Sequence, residues 1–160
     1  MKKNFIPTID ISPLLNGLNS KKSKEAIKKI EKSCVEVGFF QIINHGINKK
    51  QIESISNVGN KFFQSSKQNK IKLAPKKWNK KNKNIYRGYF PKDVNGKEGL
   101  DIGDTKVTKK YAQSTKNQYI EYLNLNKSID KKSIRILSQY FDNIFTLCEI
   151  LFKSVIKLYK

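Results

Sequence analysis

The residues with the clearest chemical potential lie in the segment Tyr86-Arg87-Gly88-Tyr89. A planar guanidinium can form two parallel charge-assisted hydrogen bonds to a carboxylate, so Arg87 is a candidate for binding an acidic small molecule. The structural alternative is that Arg87 packs over Tyr86 or Tyr89, or fixes its own loop to a neighbouring segment.

The single histidine, His45, does not support a catalytic or metal site. As a metal ligand or general base it would need a partner carboxylate and a second nitrogen donor, and the chain has no other histidine. We interpret Asn44, His45 and Gly46 as a structural turn whose side chains bond nearby backbone groups. The possible carboxylate partners are Asp10, Glu36 and Asp101, but the sequence does not fix the distances between them. The sequence therefore predicts no catalytic residue and no metal ligand.

The charge is strongly positive, since 33 Lys and Arg face 13 Asp and Glu for a formal net charge of +20. Only Arg87 and Arg135 are arginines, whereas base reading and phosphate clamps favour arginine. A lysine-rich solvated surface is therefore a better interpretation than nucleic-acid binding. The alternative function is a stand-alone lysine-rich module that binds nucleic acid or a protein partner. For nucleic acid, the aromatic residues Trp78, Tyr86, Tyr89 and Phe90 would supply the stacking surface.

Hydrophobic spacing predicts an α+β fold in one domain over residues 1–160, with a strand, helix and loop part over 1–127 and a long helix over 128–160. Cys34 and Cys148 fall on apolar helical faces and are expected to be buried, reduced thiols. No apolar run approaches the ~18 residues of a membrane span. We therefore expect a cytoplasmic protein. The predicted strands lie over 5–11, with Ile9 and Ile11 on one face, over 39–43, buried on both faces, and over 86–91. The predicted helices lie over 23–37 and from Asn48 to Phe63. The connections are a chain break at 12–13, turns at 16–17 and 95–96, a mobile polar loop over 76–84, and a loop over 105–127.

The last helix carries the longest apolar pattern in the chain. From about Ser133 its apolar residues recur every three or four positions, which predicts one continuous face. Because this face continues to the end of the sequence, we expect further material to pack on it. Its members are Leu137, Tyr140, Phe141, Ile144, Cys148, Leu151, Phe152, Val155 and Tyr159.

Three motifs in this order resemble the N-terminal region of the isopenicillin N synthase-like non-haem iron oxygenases. They are Ile6-Pro7-Thr8-Ile9-Asp10, the run from Glu36 to Ile47 that contains GFFQIINHGI, and Tyr86-Arg87-Gly88-Tyr89. Most members of that family use Fe(II) and 2-oxoglutarate. The segment Lys97-Glu98-Gly99-Leu100-Asp101-Ile102-Gly103 is similar to the next segment of many bacterial members, and the resemblance extends over nearly the whole chain.

This resemblance implies a scaffold domain whose catalytic barrel, a double-stranded β-helix with the iron ligands His-x-Asp and a distant His, is absent. The chain by itself would then bind no cofactor and would be inactive. Fe(II), 2-oxoglutarate and a small-molecule substrate would belong to the complete oxygenase. Arg87 and Tyr89 would line the mouth of the barrel, and the barrel, in the same polypeptide or as a separate chain, would pack on the face from Leu137 to Tyr159.

Overall fold

The computed structural model describes residues 6–92 and 96–157, which form an α+β fold that ends in a long helix. These residues group into two compact units, Met1–Lys49 with Asp142–Lys160, and Lys50–Phe141. The α+β class and the long final helix are confirmed. The elements are β1 (Thr8–Asp10), α1 (Ser12–Leu15), α2 (Lys21–Glu36), β2 (Gln41–Ile43), α3 (Lys49–Phe63), α4 (Lys67–Ile71), β3 (Gly88–Phe90), β4 (Gly99–Asp101), α5 (Lys109–Ser114) and α6 (Lys131–Ile156), with a 3-10 turn at Leu125–Lys127 before α6.

The first unit is built on a small parallel sheet, in which β1 pairs with β2 in the register Thr8 with Gln41 and Asp10 with Ile43. Alternation along β1 buries Ile9, and the residue after the strand, Ile11, is also buried. The expectation that both isoleucines share one face is confirmed. Where the sequence predicted only a chain break after Ile11, the structure has the short helix α1, because proline is tolerated in the first helical turn.

Helix α2 is close to its predicted limits and has well-defined ends. The Ser20 side chain accepts a hydrogen bond of 3.0 Å from the Ser23 amide, which satisfies one of the free amides of the first turn. At the other end Gly38 adopts a positive φ of 81° and donates to the Ser33 carbonyl at 3.0 Å. The predicted burial of Cys34 is wrong: the neighbouring Ser33 faces the core and donates to the Lys29 carbonyl at 2.8 Å.

Strand β2 is shorter and more exposed than the sequence predicts. Phe39 is 72% exposed and Ile43 is 47% exposed, so the predicted burial on both faces is wrong. The physical reason is that, among the described residues, β2 pairs with β1 alone. Parallel strands are normally covered on both faces, and this two-stranded sheet leaves apolar surface uncovered.

The second unit has its own core, formed where α3, β3 and the start of α6 meet. Phe62 packs edge-on against Tyr89, with ring centroids 5.9 Å apart, and both residues are nearly inaccessible. Leu73, Leu125 and Leu137 belong to the same buried cluster. Strands β3 and β4 pair antiparallel beside it, with Tyr89 opposite Leu100.

The polar segment 76–84 is not the unsupported loop that its composition suggests. The Lys76 amide donates to the Asn84 carbonyl at 2.8 Å, which closes the segment on itself. The Asn79 and Asn82 side-chain amides donate to backbone carbonyls of the preceding segment, including Ala74 at 2.6 Å. The prediction of a mobile loop does not account for these contacts. The asparagine amides satisfy backbone carbonyls that regular secondary structure would otherwise satisfy.

Two further predictions require correction or lie outside the described residues. The region 105–127 contains the short helix α5, capped by the Thr108 side chain, which accepts a 3.2 Å hydrogen bond from the Tyr111 amide. A helix this short carries too little hydrophobic periodicity to be found from sequence. Phe5, Asn95 and Tyr159, which belong to predicted elements, lie outside the described residues.

Helix α6 divides its apolar residues between two cores and the surface. Leu137 is buried in the second unit, and Leu147 is buried in the first. Phe152, at 70%, and Ile156, at 53%, are exposed. Cys148 is also exposed, so its predicted burial is wrong. The small Ser154 takes a core position there and donates to the Ile150 carbonyl. None of the described helices is long and apolar enough to cross a membrane.

Candidate functional site

The backbone before β3 is fixed by one carboxylate from a distant part of the chain. Glu121 accepts hydrogen bonds from three consecutive amides, those of Ile85 at 2.6 Å, Tyr86 at 2.9 Å and Arg87 at 2.8 Å. Hydrogen bonds to an ionised acceptor are stronger than neutral ones. Glu121 therefore sets the direction in which the chain enters β3, and with it the position of the Arg87 side chain.

The Arg87 guanidinium is held by a carboxylate on the adjacent strand. One terminal nitrogen of Arg87 donates to both carboxylate oxygens of Asp101, each at 2.9 Å, and the arginine side chain remains 31% exposed. Gly103 makes room for this arrangement, because a Cβ there would lie 2.8 Å from Nε of Arg87. The arginine thus joins its strand to its neighbour and keeps part of its surface accessible.

Tyr89 lies in the core of the second unit and is 3% exposed. Its hydroxyl donates to a carboxylate oxygen of Glu98 at 2.6 Å, and Nζ of Lys70 contacts the same oxygen at 2.8 Å. The Lys70 ammonium also sits over the tyrosine ring, 5.3 Å from its centroid. The three side chains form one connected polar group at the edge of the apolar core.

Each member of this group has a shifted pKa with an identifiable cause. The hydrogen bond from Lys70, followed by that from Tyr89, lowers the pKa of the Glu98 carboxyl. Burial is the main reason that the pKa of Tyr89 is raised, and the negative Glu98 adds to it. The pKa of Lys70 is raised chiefly by its hydrogen bond to Glu98. All three shifts favour the arrangement of a carboxylate, an ammonium and a neutral phenol.

The segment Asn44-His45-Gly46 connects β2 to the following helix. Asn44 adopts a positive φ of 57°, and its side-chain amide donates to Asp10 at 2.9 Å. His45 Nδ1 accepts a hydrogen bond from the Ile47 amide at 3.2 Å. The Asp10 carboxylate also accepts from the Ser12 amide, and these bonds lower its pKa. Each polar side chain of the turn therefore has a local partner.

The described residues do not fit an iron site. Within residues 6–92 and 96–157, no three His, Cys, Asp or Glu side chains are grouped so that they could hold a metal ion. His45 already uses Nδ1 as an acceptor for backbone, and Arg87 is paired with Asp101. The contacts of Arg87 with Glu121 and Asp101 can orient its guanidinium and the edge of β3. No step of metal chemistry is assigned to this chain.

Comparison with known proteins identifies the origin of this architecture. Residues 6–143 match the family described as "non-haem dioxygenase in morphine synthesis N-terminal". The chain belongs to this family of non-haem dioxygenase N-terminal regions. The match spans the three motifs whose resemblance pointed to the isopenicillin N synthase-like oxygenases, and that prediction is confirmed.

Individual relatives agree with the family match. A 1-aminocyclopropane-1-carboxylate oxidase from Dictyostelium mucoroides is 40% identical over 77 residues, covering 46% of this chain and 20% of the relative. Isopenicillin N synthase from Streptomyces jumonjinensis is 35% identical over 97 residues, covering 60% of this chain and 28% of the relative. The chain therefore spans about a quarter of the length of these curated relatives.

A solved structure shares the fold. The dioxygenase for auxin oxidation 1 from Arabidopsis thaliana, in a binary complex with 2-oxoglutarate, superposes with a TM-score of 0.67 at 18% identity. The superposition covers 97% of this chain and 57% of that protein. At this level of identity the likeness concerns the fold.

Sequence reasoning identifies Arg87 and Tyr89 but misses the carboxylates that position them. Glu121 and Glu98 are the partners that fix the backbone of β3 and the tyrosine hydroxyl. Glu121 lies in a stretch without periodicity and is 34 residues from Arg87, so no local pattern indicates the contact. Glu98 lies in the segment that resembles the family, but nothing in that segment indicates its partner.

Proposed function

We propose that this chain is the N-terminal scaffold of a 2-oxoglutarate- and Fe(II)-dependent oxygenase, in which a C-terminal barrel supplies the iron ligands. The observation that carries the proposal is the family match over residues 6–143. In this proposal the metal and 2-oxoglutarate bind to the barrel. The chain alone is inactive, and it works in the cytoplasm.

The apolar surface of the first unit is the part that the barrel covers. Phe152 and Ile156 lie one helical turn apart on α6 and are 70% and 53% exposed. On the small sheet, Phe39 and Ile43 are also exposed, and a two-stranded parallel sheet is a marginal structure without further strands. A barrel that covers these residues would bury apolar area worth about 25 cal/mol per Å².

In the complete oxygenase, Arg87 contacts an acidic group of the small-molecule substrate, and Tyr89, whose hydroxyl is bound to Glu98, anchors the same segment in the core. The support for this role is the partly exposed guanidinium, already oriented by Asp101. A substrate carboxylate would share or displace that pairing, because a guanidinium can form two parallel hydrogen bonds to the oxygens of one carboxylate. The turn of Asn44, His45 and Gly46 keeps a structural role.

The first experiment is to read the coding DNA beyond the Lys160 codon in all three frames. We expect a frame that encodes His-x-Asp, a later His and Arg-x-Ser. Absence of such a frame would contradict a barrel in the same polypeptide and leave a free-standing binding module or a separately encoded barrel, which a binding assay distinguishes. Phe152→Asp should then weaken binding of the separately expressed barrel, whereas Lys132→Asp, an exposed change elsewhere on α6, should not.

A turnover assay distinguishes a scaffold domain from an enzyme that is active by itself. Succinate formation from 2-oxoglutarate should be absent with this chain and Fe(II), and should appear when the barrel is joined to it. Succinate formation by the chain alone would contradict the proposal. In the joined protein, Arg87→Lys should raise KM for the substrate with little change in the uncoupled consumption of 2-oxoglutarate, and Arg135→Lys serves as the matched control.

A further inference from the structure

The second unit contains a cavity that neither the scaffold role nor the substrate role uses. Its volume is about 710 Å³, within the range of small-molecule sites. Residues from the 72–84 segment, α5 and the chain before α6 line it. Six of the lining residues are lysines: Lys72, Lys81, Lys83, Lys109, Lys116 and Lys127.

The walls of the cavity are held in place by asparagine amides. Nδ2 of Asn82 donates to the carbonyls of Lys72 at 3.0 Å and Ala74 at 2.6 Å, and Nδ2 of Asn84 donates to the Tyr122 carbonyl at 3.1 Å. Lys127 in turn donates to Oδ1 of Asn82 at 2.7 Å. These bonds tie the lysine-bearing loop to both neighbouring segments, so the cavity is formed before any ligand enters.

The charges around the cavity are not balanced by the protein. Glu121 is the one acidic residue among its lining residues, and its two oxygens already accept three backbone amides. Apart from Lys127, the lining lysines form no ion pair or side-chain hydrogen bond within the described residues. All six are exposed, so their ammonium groups are accessible from solvent. Like charges held around one cavity repel, and an anion that enters it relieves that repulsion.

We propose that this cavity binds a small molecule that carries two or more phosphate groups. Lysine suits such a ligand because its ammonium is a compact point charge with three donors that can follow several phosphate oxygens. A single phosphate or carboxylate would neutralise only a small part of the six charges. The cavity volume limits the ligand to the size of a di- or triphosphate compound.

A nucleic-acid strand fits these observations less well. Binding of single strands uses aromatic side chains as stacking platforms, and Trp78 is instead packed edge-on against Phe90, with ring centroids 5.5 Å apart. Nζ of Lys77 lies over the Trp78 ring at 4.6 Å. Neither residue lines the cavity, so the lysine cluster and the aromatic cluster are separate features.

The test uses inorganic tripolyphosphate as the probe and isothermal titration calorimetry of the full chain at 0.15 M salt. We expect saturable binding with one site. The triple variant Lys81→Ala, Lys83→Ala, Lys116→Ala should raise Kd at least about tenfold, since exposed charge pairs are individually weak but three are removed together. The matched control Lys21→Ala, Lys24→Ala, Lys28→Ala removes the same charge from α2 and should leave Kd within about twofold.

A second measurement needs no variant. Acetylation of lysines in the wild-type chain, read by mass spectrometry, should be slowed by tripolyphosphate at Lys81, Lys83 and Lys116 and unchanged at Lys21 and Lys24. Absence of saturable binding, equal weakening by both triple variants, or equal protection of both lysine groups would overturn the proposal. Tighter binding of a single-stranded oligonucleotide, lost in the cavity variant, would overturn it in favour of nucleic acid.

Discussion

Replacing Gly88 by alanine should destabilise the second unit more than any other single methyl addition at a described glycine. Gly88 has a φ of +128°, a conformation that L-residues rarely adopt. A Cβ at this position would lie 2.1 Å from the Leu73 carbonyl oxygen and 3.2 Å from Cδ of Pro75. The obstacle is backbone and buried ring, so no flexible side chain can move aside.

The magnitude is the sum of two contributions. A non-glycine residue in a disfavoured backbone region costs about 1–3 kcal/mol. Forcing an extra carbon into a packed core costs about 1–3 kcal/mol more, through shifts of the surrounding backbone. Here the shift also disturbs the 3.1 Å hydrogen bond from the Tyr89 amide to the same Leu73 oxygen. Together the two contributions give an expected loss of about 2–6 kcal/mol, a large part of the stability of a typical domain.

Urea denaturation followed by circular dichroism and Tyr/Trp fluorescence measures this loss. The matched control is Gly59→Ala, which adds the same methyl group inside α3, where no side chain or backbone atom beyond the adjoining residues and the helix's own backbone lies within 4 Å of the new Cβ. That change should stabilise the protein by about 0.4–1 kcal/mol, since alanine is the better helix former. If Gly88→Ala and Gly59→Ala unfolded at the same urea concentration, the close approach of β3 to Leu73 would be refuted.

Three other outcomes are expected from the contacts of Glu98, Asp130 and the two cysteines. Tyr89→Phe should cost about 1 kcal/mol, because the buried hydroxyl loses its bond to Glu98. Because the pKa of Glu98 is lowered in the folded protein, its carboxylate stabilises the fold at pH values above its ordinary pKa of 4.5, and this stabilisation is lost as pH falls through the folded-state pKa. Tyr89→Phe removes one of the hydrogen bonds that lower this pKa. The stability of the variant should therefore depend less steeply on pH on the acid side. The pKa of Asp130 is lowered chiefly by the hydrogen bond from Lys61 at 2.8 Å and then by the bonds from Ser133. Asp130→Asn can still cap α6 but loses the charge that pairs with Lys61, so it should lower the urea midpoint slightly at pH 7, and the difference from wild type should shrink as pH falls below 3.8. Cys34 and Cys148 are exposed, so a thiol reagent should label both in the native state, and labelling that requires unfolding would contradict the structure.

Local patterns predict the helices of this fold well. In α2, the spacing of Ala26, Ile27 and Ile30 identifies the buried face, and Gly38 identifies the end, because helix periodicity and the left-handed glycine cap are local properties. The same spacing assigns Cys34 to the core, where Ser33 lies instead. A helical face is wider than one residue, and sequence spacing does not decide which of two neighbours meets the opposing element.

The polar contacts could not be predicted in the same way. Arg87 meets Asp101 across 14 residues, and Glu121 meets the Arg87 amide across 34 residues. Such pairs depend on how the second unit closes, which no local pattern encodes. The loop over 76–84 illustrates the same limit, because composition assigns its asparagines to a mobile segment, whereas their amides bind backbone carbonyls.

These contacts explain why the Tyr86-Arg87-Gly88-Tyr89 motif is weaker evidence for substrate binding than for family membership. Gly88 is needed for the approach to Leu73, Tyr89 fills the core, and the Tyr86 and Arg87 amides bind Glu121. The Arg87 side chain, by contrast, keeps accessible surface that the fold does not use. A protein that kept this fold but no longer bound the substrate would therefore still retain Tyr86, Gly88 and Tyr89. The exchange of Arg87 for lysine in the complete oxygenase is therefore the decisive test of substrate contact, because it removes the planar guanidinium while retaining the charge and the backbone.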